Sequence, residues 1–146
     1  MTTRRRLLAL LASAPVLALA LGGCGGSSTR KADTDLPLAL YAYSGAIRWG
    51  RLDEAWAWVH PDAQAARPLD ALTRERWEQV QVSGYEVKTS GPAPNGRLRQ
   101  LVEIRVINRH TQVERVLRVE ETWGWDEEAQ RWWNHAGLPD LTAGPR

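Results

Sequence analysis

The stretch Leu98–Trp125, LRQLVEIRVINRHTQVERVLRVEETWGW, decides the fold. Between Leu98 and Asn108, Val102, Ile104 and Val106 fall on every second position, with Glu103 and Arg105 between them. Successive side chains of a strand point to opposite faces of a sheet, so this spacing predicts a strand with one buried face. Asn108–Thr111 reads as a hairpin turn, and Gln112–Trp125 resumes the alternation. Val113, Leu117, Val119, Trp123 and Trp125 share one face; Glu114, Arg118, Glu120 and Thr122 share the other. Two such strands joined by a short polar turn form an antiparallel hairpin.

Working outward, Val82–Thr89 reads as an earlier strand with an irregularity at Gly84, and Gly91–Gly96 as a turn cluster. Asp126–Gln130 is a polar turn, and Arg131–Ala136 a last strand. Before the strands the period lengthens. Leu36, Leu40, Tyr43 and Ile47 recur at helical spacing after a start at Thr34–Asp35, and Gly50 ends that helix. Leu52–Val59 predicts a short helix stopped by His60-Pro61-Asp62, and Asp70–Val80 a third. Helices first and a strand meander after predict an α+β domain, with N-terminal helices packed on a curved antiparallel sheet. The expected organisation is a leader over 1–23, Cys24 with a flexible tether to 33, one domain over 34–139 and a loose tail over 140–146.

The leader is read from order and charge. Arg4, Arg5 and Arg6 precede the apolar run Leu7–Leu21, which at 15 residues is short for a membrane-spanning helix. Leu21-Gly22-Gly23-Cys24 follows. This stretch resembles the lipobox of bacterial lipoproteins, which implies cleavage before Cys24, lipidation of Cys24 and attachment to a membrane through that lipid. Thr3–Leu8 also has the look of a weak twin-arginine signal, and both export routes stay open. Gly25, in place of Asp, implies the periplasmic face of the outer membrane rather than the inner membrane. Gly25–Asp33 contains no large apolar residue and reads as the tether.

Removing the leader takes three arginines and no acid, leaving 16 basic against 17 acidic side chains. No basic field remains to attract nucleic acid. The single cysteine excludes an intramolecular disulfide, and a core must hold the domain. That core is built without phenylalanine: the chain has eight Trp and three Tyr.

The helix-to-helix corner Tyr41–Pro61, the strand end Val119-Glu120-Glu121-Thr122-Trp123 and the closing Asp126–Trp133 resemble the nuclear transport factor 2-like superfamily, which includes SnoaL-like cyclases and ketosteroid isomerases. The resemblance implies a cone-like cavity between a long helix and the sheet, and in many members a homodimer formed through the sheet. Fold alone does not assign an activity.

Within such a cone the candidate pocket residues are Tyr43, Glu121, Trp123 and His135. By alternation Glu121 shares the face of Leu117, Val119 and Trp123, where burial would raise its pKa and suit it to proton transfer. The competing reading turns it to solvent or pairs it with Arg115. His60, His110 and His135 lack metal-ligand spacing, and no phosphate loop or nucleophile elbow is present. No catalytic residue, metal or cofactor is therefore expected. The expectation is a membrane-anchored binding or scaffold lipoprotein with an envelope protein partner. The alternative is a small-molecule binder or lyase/isomerase-like enzyme using the conical pocket. Trp132 and Trp133 are adjacent on one strand, so at least one of them should face outward or be covered by another element.

Overall fold

The computed structural model describes residues 25–143. The leader and acylation readings on residues 1–24, and the end of the tail at 144–146, lie outside the described residues. Four helices lead into four strands: α1 (Gly25–Arg48), α2 (Leu52–Trp56), α3 (Pro61–Ala66), α4 (Ala71–Glu78), β1 (Val80–Ala93), β2 (Arg97–Asn108), β3 (Glu114–Asp126) and β4 (Arg131–Asn134). The strands form one antiparallel meander in the order β1-β2-β3-β4. The α+β architecture read from the period change is present, with helices followed by a curved four-stranded sheet.

The sheet core follows the alternation. Val102, Ile104, Val106, Leu117 and Trp123 are buried on one face, and α1 lays Ala32, Ala39, Tyr43, Ala46 and Ile47 into the same cluster. On the other face Arg105, Glu86, Lys88, Glu103 and Arg118 form a ladder of ion pairs. β1 slips register between Val82 and Gly84 and again between Val87 and Thr89, which realises the irregularity expected at Gly84. The β1–β2 turn requires left-handed backbone at Asn95 and Gly96 (φ 61° and 67°). At the next turn the Asn108 side-chain oxygen accepts from the amides of His110 and Thr111.

Helix ends are set by local chemistry. Gly50, at φ 66°, closes α1 as its amide reaches the Ile47 carbonyl and the Arg51 amide reaches that of Ala46. Asp70 caps α4 by accepting from the Thr73 amide at 2.7 Å. His60-Pro61-Asp62, expected as a stop, instead starts α3: Pro61 is its first residue, and His60 Nδ1 accepts from the Asp62 amide.

Two expectations about the ends need correction. The stretch 25–33, read as a tether, belongs to α1, so the helix does not start at Thr34–Asp35. Lys31 pairs with Asp35 one turn on and donates to the Gln130 carbonyl; the Trp132 indole donates to the Ala32 carbonyl at 2.8 Å. Long-range partners from the β3–β4 turn thus dock a segment whose composition alone suggests flexibility. The tail from 140 is not loose throughout: Leu141 is 2 % exposed, and Arg115 donates to its carbonyl at 3.1 Å.

A parallel bridge between Val59 and Asn134 ties the helical half to the β4 edge. There the His60 amide donates to the Asn134 carbonyl, and the Asn134 amide to that of Trp58. This pairing occupies backbone groups that an edge strand otherwise leaves open.

Candidate functional site

Three of the four candidate pocket residues converge under α1. Glu121 is 1 % exposed, at the centre of the inner face of β3. Its Oε1 accepts from the Tyr85 hydroxyl at 2.6 Å and its Oε2 from the Trp123 indole at 3.0 Å. Tyr43 descends from α1 and meets Trp123 edge-on, with ring centroids 5.1 Å apart at 81°. Gln100 lies opposite Glu121 in the β2–β3 register, and Asn134 opposite Trp123 in the β3–β4 register; both are buried. Arg115, weighed as a partner for Glu121, turns instead to the Leu141 carbonyl.

Electrostatics follow from this burial. Desolvation raises the Glu121 pKa above the ordinary carboxyl range, and the hydrogen bonds from Tyr85 and Trp123 oppose that rise. Burial, then the Glu121 charge, raises both tyrosine hydroxyls far above their usual range. The Asn134 side chain is near enough to Tyr43 to oppose its shift, although the Tyr43 hydroxyl meets no partner with hydrogen-bond geometry among the described residues.

His135 is not part of this group. It faces the opposite side of the sheet, stacks on His60 at 4.3 Å and covers the backbone of Gly124. A Cβ on Gly124 would come within 2.7 Å of the imidazole Nε2, so glycine is required under the ring. Desolvation first, then Arg97 and His60, push His135 down to about 4. Beside it Trp133 is the outward member of the tryptophan pair, with the Arg131 guanidinium 3.9 Å over its ring, while Trp132 is buried.

Sequence reasoning missed Tyr85, Gln100 and Asn134. Strict alternation from Val82 would point Tyr85 outward; the bulge beside Gly84 turns it in. The glycine was the available signal, because a bulge resets the parity of the residues after it.

The cluster has the ingredients of acid–base chemistry, with Tyr85 and Gln100 at its edge and Glu121 behind them. A shallow cleft of about 300 Å³ between α1 and the β1–β2 strands reaches Tyr85 and Gln100 but not Glu121. A smaller cleft of about 190 Å³, between the α3–α4 region and the C-terminal segment, is lined by Trp56, Arg67, Trp77 and Leu138, remote from the acid. Among the described residues no group of three or more His, Cys, Asp or Glu is placed to hold a metal ion. In comparisons with known proteins, no family model, no curated protein and no solved structure matches the chain.

Proposed function

We propose that this chain is an exported lipoprotein, anchored in the cell envelope through an acylated Cys24, whose domain binds or scaffolds an envelope partner and does not catalyse a reaction. The order Arg4–Arg6, Leu7–Leu21, Gly22-Gly23-Cys24 carries the anchor. The non-catalytic reading rests on Glu121: both its oxygens already accept from neighbours, and it lines neither cleft described above. A buried acid held this way organises a core and orients Tyr85 and Trp123. The long α1 lying in the concavity of an antiparallel sheet supports a nuclear transport factor 2-like assignment, with the cone filled by side chains. In a two-membrane envelope, Gly25 after the acylated residue favours the outer membrane.

The test is the intact mass of protein extracted from membranes, wild type against Cys24→Ala. Wild type should begin at Cys24 and carry acyl mass; Cys24→Ala should lose that mass and leave the membrane fraction. A wild-type protein cleaved at another position, with no acyl mass, overturns the anchor.

A further inference from the structure

The inward stripe of α1 is matched by an outward one whose large apolar side chains stand in solvent. Arg30, Thr34, Leu38, Tyr41, Gly45 and Arg48 recur at spacings of three and four, and Trp49 stands four residues after Gly45, so they share one face of the helix and its closing turn. Leu38 is 65 % exposed, Tyr41 80 % and Trp49 79 %. Large apolar side chains along one line of an exposed helix signal a contact surface. The stripe holds no carboxylate. Its two cations stand at its ends: Arg30 two turns before Leu38, and Arg48 beside Trp49, in a 3.4 Å contact with the Tyr85 carbonyl.

Leu, Tyr and Trp flanked by Arg on one side of a helix is the composition of a surface-seeking amphipathic helix. Tyr and Trp favour the headgroup level, where one end of the ring is wet and the other dry. Among the described residues no helix is long and apolar enough to cross a membrane, which fits a helix lying on the surface rather than through it. The residue just before the described part of the chain points to a bilayer as the occupant. α1 includes Gly25, and Cys24, the proposed acylated residue, directly precedes it in the sequence. A helix of 24 residues is about 36 Å long. Pinned at one end and lying flat, it brings Leu38, Tyr41 and Trp49 to the same plane as the acyl chains.

We infer that the outward stripe of α1 docks on an anionic phospholipid surface, laying the domain against the bilayer instead of holding it off. The inference rests on the acyl anchor proposed at Cys24, and the experiment separates the two. Protein extracted from membranes is reconstituted into vesicles of phosphatidylcholine and phosphatidylglycerol in equal parts, with brominated acyl chains as quencher, and its intact mass is recorded. Docking predicts that part of the tryptophan emission is quenched and that this part disappears in Trp49→Phe, a substitution at an exposed site outside the core. Arg30→Gln and Arg48→Gln should each lower the docked-to-free ratio about fivefold. Pure phosphatidylcholine vesicles, or high salt, should act in the same direction. Acylated protein whose Trp49 stays unquenched overturns docking and leaves the anchor standing. A crosslinked pair of chains joined through Trp49, with no lipid quenching, also overturns it and assigns the stripe to a second copy. Protein without acyl mass whose Trp49 is quenched when vesicles are added supports docking and overturns the anchor.

Discussion

On the inner face of β3, Glu121 is enclosed by neutral donors, the Tyr85 hydroxyl and the Trp123 indole. On the outer face of β2, Glu103 meets cations: Arg118 at 3.3 Å and Lys88 at 3.7 Å. Both are glutamates on adjacent antiparallel strands, yet their energetics are opposite. The outer pairs sit in water, which screens them, and such pairs contribute about 0–1 kcal/mol each. Among the described residues no cation offsets the desolvation of the inner acid, so its charged form is disfavoured while its hydrogen bonds hold two large aromatics in place. Charge on the outside tunes the surface; polarity on the inside fixes the geometry of the core.

Glu121→Ala is the largest way to break this contrast. It leaves the Trp123 indole and Tyr85 hydroxyl without partners and opens a void, which should destabilise the fold by about 2–5 kcal/mol, read from the urea midpoint. Glu121→Gln keeps the shape: its amide oxygen accepts from Trp123 and its amide nitrogen donates to Tyr85. This variant isolates the charge. Because the folded pKa of Glu121 lies above the ordinary 4.5, the folded chain keeps the proton to higher pH than the unfolded chain. The linked stability is complete below the unfolded pKa and is lost as pH rises through the folded one. Urea midpoints from pH 5 to 8 should therefore fall with pH more steeply in wild type than in Glu121→Gln; parallel curves would show that Glu121 titrates as it does unfolded.

Trp132→Phe sits between the extremes. It preserves most of the apolar bulk but removes the donor to the Ala32 carbonyl, the link that docks the start of α1. A loss of about 1–2 kcal/mol is expected, with faster amide exchange confined to the first turns of α1. The smallest effect belongs to the outer face. Glu103→Gln should change stability by about 0.5 kcal/mol, and high salt should erase the difference between variant and wild type. A loss as large as that of Glu121→Ala would end the distinction between the two faces.

Much of this contrast was legible in the chain. Val102, Ile104 and Val106 alternate without a break, and Leu117, Val119 and Trp123 share one parity with Glu121 among them, so their faces follow from strand geometry alone. The same parity carried Glu121 inward. Tyr43 was legible from helical spacing. What the acid touches was not, because Tyr85 reaches it only through a bulge that shifts parity in β1. His135 was read as a pocket residue, yet it lies across the sheet against His60, because it directly follows β4, in which Trp132 and Asn134 take the inner side, and the next residue of an extended chain faces the other way.

Sequence by itself determined the elements that obey a local period, two long strands and the inward stripe of α1, and the helix end at Gly50. Tertiary structure decided the rest. It made a helix of 25–33, buried Leu141 and enclosed Glu121. The physical reason is distance along the chain. A period of two or 3.6 is written within a few residues, whereas Trp132 meets Ala32 across 100 positions and Tyr85 meets Glu121 across 36. Contacts of that kind form only when the whole sheet closes over α1.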